Sequence, residues 1–140
     1  MIEEITLQEK LLEKNAIIFV HKLPILTRLH GLRCDIYLPQ TYQGNYDNDG
    51  KRVYGLVPDS KDKFIVFNYF QLGQFGDSVF DPFSDAVKYI VTDKNKRLVL
   101  NSKIVVWQGL SYYEYRVDNF KSYRGKDGYI LTQNILIPLV

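Results

Sequence analysis

The sequence predicts a mainly β fold, a small β-barrel or sandwich with one N-terminal α-helix. Three observations predict it. Aromatic residues make up 14% of the chain, led by 11 Tyr and 8 Phe, and flat rings pack well on a pleated surface. From Leu32 onward the apolar period shortens towards two, the spacing of strand residues on one face. Clusters of Gly, Asn and Asp break those runs at close intervals, as in about seven or eight short strands joined by turns. A length of 140 residues fits one domain, divided into a helix with its connector at 1–24 and a β-barrel at 32–140.

The helix comes first. Thr6 and Glu9 have capping-box spacing, in which each side chain reaches an amide that the helix start leaves unpaired. Leu7, Leu11 and Leu12 fall on one face, with Glu9, Lys10, Glu13 and Lys14 mostly on the other. Residues 16–20 are uniformly apolar and fit either a continued helix or a first strand. Pro24 predicts a break near Leu23, because proline pushes its predecessor out of helical geometry.

Strands follow. Residues 32–38 alternate and stop at Pro39; 40–52 read as a polar loop; 52–56 resume a strand around Val53 and Tyr54. Residues 64–70 are apolar on both faces, which predicts a central strand. An irregular stretch with Pro82 covers 71–85, and 86–91 is a short strand before a turn at 93–96. Strands at 97–100 and 103–108 are separated by Asn101 and Ser102. Residues 103–108 and 112–120 form a hairpin turned at Gly109, with Tyr113, Tyr115 and Val117 on one face against Glu114, Arg116 and Asp118. A glycine-bounded turn at 124–128 leads into a last strand from Tyr129, with Pro138 suited to a sheet edge.

Composition narrows function. Lys+Arg 18 against Asp+Glu 16 is too even for a dedicated nucleic-acid coat. No apolar run approaches the roughly 20 residues of a membrane helix. A single cysteine, Cys34, forms no internal disulfide, and acidic Glu3 and Glu4 are unlike a secretory signal, so a soluble protein made inside a cell is expected.

Several constellations suggest chemistry and each has a plainer reading. Asn45, Asp47, Asp49 and Gly50 imitate half a calcium loop, but Leu56 stands where a bidentate glutamate is required, and a turn is expected. His21, His30 and Cys34 lack zinc spacing, and Cys34, mid-strand, reads as a small apolar residue rather than a nucleophile. Asp77, Asp81 and Asp85 recur every four residues, but Pro82 divides them, and a solvated loop is expected. No catalytic residue, metal site or cofactor is expected. Arg116, Lys121, Arg124 and Lys126, with Tyr123 and Tyr129 among them, could meet passing DNA, although Glu114, Asp118 and Asp127 neutralise much of the stretch. Leu7, Leu11, Leu12, Ile135, Leu136 and Ile137 are candidate intersubunit contacts, with packing on the chain's own barrel as the alternative.

One order of segments carries a family likeness. Cys34-Asp-Ile-Tyr-Leu-Pro39 runs into an Asp/Gly loop and then Lys51-Arg-Val-Tyr-Gly55; Lys103-Ile-Val-Val-Trp-Gln-Gly109 precedes Tyr113-Glu-Tyr-Arg-Val117. This resembles the small β-barrel head-closure (stopper or head-completion) proteins of tailed bacteriophages, in patches over residues 32–120. The resemblance implies a non-enzymatic ring subunit of the virion neck, made in the host cytoplasm. Its partners would be its own copies, the portal and adaptor, the tail and packaged DNA, with no membrane. Tail-terminator and adaptor proteins are similarly small and remain alternatives. A β-barrel binding module for an oligonucleotide or small ligand is the rival from another class, presenting rings from 64–70 or 112–115.

Overall fold

The computed structural model describes residues 7–39, 54–68, 87–93 and 96–139, with side chains from residue 13 onward. The fold is mainly β. It contains helix α1 (Leu7–His30) and strands β1 (Leu32–Tyr37), β2 (Ser60–Phe64), β3 (Val66–Phe67), β4 (Lys88–Asp93), β5 (Lys103–Gln108), β6 (Ser111–Gly125) and β7 (Gly128–Pro138). All strand pairs are antiparallel, in the order β2-β1-β5-β6-β7-β4-β3.

The two edges of this sheet are successive pieces of one segment, with only Ile65 between β2 and β3. The sheet therefore curls into a half-barrel that brings its two ends towards each other. Alternation then divides the apolar residues between two cores. Cys34, Phe64, Val66, Ile90, Ile104, Val106, Tyr115, Val117 and Leu136 fill the inside. Ile65, Phe67, Val91 and Leu131 point outward and are covered by Ala16 and Phe19 of α1, with Val20, Leu23 and Leu26 packed alongside.

That double burial explains why 64–67 is apolar on both faces. The expected central strand is instead the meeting place of two edges, wrapped inside by the barrel core and outside by the helix. Helix α1 also runs straight through Pro24, contrary to the expected break, and residues 16–20 continue it. Proline is exposed there, while Phe19, Leu23 and Leu26 on either side of it seat on the sheet and hold the helical course. The helix ends at Gly31, whose amide donates to the Thr27 carbonyl at 2.8 Å; a Cβ on Gly31 would lie 2.3 Å from that same oxygen.

Other boundaries move for local reasons. Within the expected strand at 52–56, the described residues make only one bridge, Pro39 to Tyr54, and Pro39 has no N–H with which to extend a ladder. Residues 97–100 are not a strand: the Leu98 amide donates to the Asn134 side chain at 3.1 Å in place of a neighbouring strand. The expected strand at 86–91 begins later, at Lys88. The predicted 103–108 and 112–120 hairpin is present, and its second arm extends to Gly125 through irregularities at Val117/Asn119 and Tyr123/Arg124. The first of these switches the inward side from Tyr115 and Val117 to Phe120, and leaves Tyr123 facing the helix. Strand β7 lies between β6 and β4 rather than at an edge; Pro138 is tolerated because its last partner on β4, Lys88, lies opposite Leu136.

The Thr6 cap, the Asn45–Asp49 turn, the Asp77, Asp81 and Asp85 series, and both long loops lie outside the described residues.

Candidate docking face

Cys34 points into the barrel core, fully buried, and burial pushes its thiol up to about 12. His21 and His30 are exposed on α1, and nine residues of helix place them on opposite sides. The structure thus keeps the Cys34 and His30 pair apart. Among the described residues no three His, Cys, Asp or Glu side chains converge on a metal-sized site, and no helix is long and apolar enough to cross a membrane.

The opposite parity of the same strands builds a surface. While Cys34, Ile36, Ile104 and Val106 turn inward, Arg33, Asp35, Tyr37, Lys103 and Trp107 stand on the outer side of β1 and β5. The register Trp107↔Tyr112 sets two rings side by side next to the β5–β6 turn, 5.2 Å apart and tilted by 46°. Gly109, at φ 62°, supplies the left-handed backbone that turn requires. Leu110 at its tip is fully exposed and Tyr112 is more than half exposed.

Asp35 anchors this face. It is 5% exposed, and its Oδ2 accepts the Trp107 indole N–H at 2.9 Å. Oδ1 has no hydrogen-bond partner among the described residues; the Arg33 Nε lies 3.8 Å away. Arg33 stacks over Trp107 at 4.6 Å, so one guanidinium covers both the carboxylate and the ring. Further along, Lys103 lies 4.4 Å from the Tyr37 ring centre and 5.4 Å from that of Tyr54. The Tyr54 hydroxyl donates to the Asn101 carbonyl at 2.8 Å, and Asn101 sits at φ 68°, a conformation asparagine tolerates.

Of the four cations read as a DNA-facing group, Arg116, Lys121 and Arg124 are strung along β6 and Lys126 lies in the turn after it. Arg116 belongs to the outer face, opposite Lys103, and reaches Asn101 at 3.2 Å and Asp118 at 3.6 Å. Lys121 lies over Tyr123, Arg124 lies over Tyr129, and the Lys126 amide donates to Glu13 of α1. At roughly 3.3 Å per residue, Arg116 and Lys126 are about 30 Å apart along the strand. They form a line rather than a patch. Leu136 is fully buried in the chain's own core and offers no contact to a neighbour, a correction to its expected role. Ile135 and Ile137 flank it on the other side of the strand, partly buried. The side chains of Leu7, Leu11 and Leu12 lie outside the description.

Sequence reasoning missed the Asp35–Trp107 pair. Its signal was present: a carboxylate between Cys34 and Ile36, and the single Trp in the facing hairpin. It also missed Asn134, whose buried amide donates to Ile90 and Thr92 and ties β7 to β4.

Compared with protein-family models, with curated proteins and with solved structures, the chain matches none.

Proposed function

We propose that this chain is a structural, non-catalytic subunit of a tailed-phage virion neck, a head–tail connector of head-closure type that forms a ring between the portal and adaptor and the tail. The reading starts from the likeness over residues 32–120. The observation that carries it is the outer face of β1, β5 and β6, on which Trp107 donates to the buried Asp35 carboxylate and Tyr112, Arg33 and Tyr37 are engaged in ring and cation contacts. Trp, Tyr and Arg are the side chains that most often dominate protein–protein binding energy, and holding them in place lowers the ordering cost.

The same face argues for protein over oligonucleotide. Cations of the chain itself already lie over Trp107, Tyr37 and Tyr54, where stacked bases would have to compete for the rings. The tail-terminator reading uses the same face and differs only in its neighbour.

The test is a sedimentation titration of the chain onto a phage portal–adaptor ring. Saturable association at micromolar concentration or tighter is expected. The double variant Trp107→Ala, Tyr112→Ala should weaken it at least tenfold while β-sheet circular dichroism is retained. No association, together with salt-sensitive binding to single-stranded DNA, would transfer the assignment to the oligonucleotide module.

A further inference from the structure

Helix α1 has a second apolar stripe, which the other described residues leave uncovered. Phe19, Leu23 and Leu26 are committed to the sheet. Ile18, Ile25 and Leu29 fall within about 40° of one another at 100° per residue and point away from it; they are 38%, 57% and 64% exposed, with Ile17 beside them at 51%. Spacings of seven and four residues are those of anchors that a partner helix or groove grips from one side.

The charges around the stripe say what kind of partner fits. From Lys14 to Cys34 the sequence contains no Asp or Glu. Lys14, His21, Lys22 and Arg28 are all exposed around it, and the carboxylates nearby, Glu13, Asp93 and Asp127, lie to one side of it in the cleft beside Ile17 and His21. A second copy presenting this stripe would set cation against cation. An anionic lipid surface would match the charge, but lipid binding scales with buried apolar area, and four partly exposed aliphatic chains without an aromatic residue supply little of it. Carboxylates on a partner helix can instead pair one by one with Lys22 and Arg28, which flank the stripe on opposite sides.

From this we infer that the outward stripe of α1 docks an acidic amphipathic helix of a partner protein, aliphatic on the buried face and carrying Glu or Asp along both rims. Ile18 and Leu29 lie roughly 16 Å apart along the axis, so about three turns of the partner are engaged. This surface is separate from the β1–β5–β6 face, so it stands or falls independently of the neck assignment.

The test uses the full chain and two designed helical peptides that share one Leu/Ile face, one with Glu on its rims and one with Lys. Fluorescence anisotropy should give at least tenfold tighter binding of the Glu peptide, weakening with added salt. Lys22→Glu with Arg28→Glu should reverse the preference, and Ile18→Ser with Ile25→Ser should remove binding of both peptides. All four side chains are at least a third exposed, and an unchanged urea midpoint in each variant checks that the fold is intact. Equal affinity for the two peptides, or no binding of either, overturns the inference. So does binding to phosphatidylglycerol vesicles without binding to the Glu peptide, or self-association of the chain that Ile18→Ser and Ile25→Ser abolish.

Discussion

Asp35 illustrates how one residue can organise a surface. A carboxylate on the outer side of β1 would ordinarily be solvated, yet this one is buried and depends on the Trp107 indole for a hydrogen bond. Trp107→Phe keeps an aromatic ring, though a smaller one, and removes the donor, so it should destabilise the fold by about 1–3 kcal/mol in urea unfolding. Asp35→Asn in the Trp107→Phe background should recover part of that loss, since the buried group is then neutral. Cys34 gives a second expectation. Its folded thiol titrates near 12, whereas an unfolded thiol ionises near about 8.5. The native state therefore keeps a proton that the unfolded state gives up, and the thiol's share of stability is complete below pH ~8.5 and declines up to about 12. Urea midpoints at about pH 8 and about pH 10.5 should fall more steeply in the wild type than in Cys34→Ala. Cys34 was legible as an inert core residue because alternation around it is plain. Asp35 was not, because its burial depends on a ring 72 residues later in the chain.

At the scale of elements, local signals were read well where neighbours in sequence are also neighbours in space. The β5–β6 hairpin follows directly from its alternation and Gly109, and residues 32–38 match β1 to within one position. They failed where packing overrides propensity. Pro24 disfavours a helix, but the apolar face on either side of it is anchored by Phe19, fully buried with its ring 6.3 Å from that of Phe67. Two opposite mutational effects are expected. Pro24→Ala restores a helix donor and should stabilise the protein by about 1–3 kcal/mol; Phe19→Ala empties the helix–sheet contact and should cost about 3–5 kcal/mol. Thermal and urea unfolding of the two variants check both. Nor did alternation alone reveal the irregularities between β6 and β7, because the extra residues, Asp118 on β6 and Ile130 on β7, are themselves neither Gly nor Pro.

The whole molecule is a curled sheet sealed inside by its own side chains and held outside by one helix. Fold class was legible because ring-rich alternation and frequent turns admit few other architectures. The curl was not: nothing local indicates that Phe64 and Val66, two residues apart, pair with strands at opposite ends of the sheet order. With the interior filled, binding falls to the outside. The proposed function accordingly treats the chain as a preformed block that docks through its surface. Electron cryomicroscopy of the chain mixed with a phage portal–adaptor ring tests that reading most directly. The account predicts a closed ring of copies, each barrel unchanged, with Trp107 and Tyr112 buried against a neighbour or the platform. A map with those residues facing solvent throughout, or with no density for the chain on a saturated ring, would contradict it.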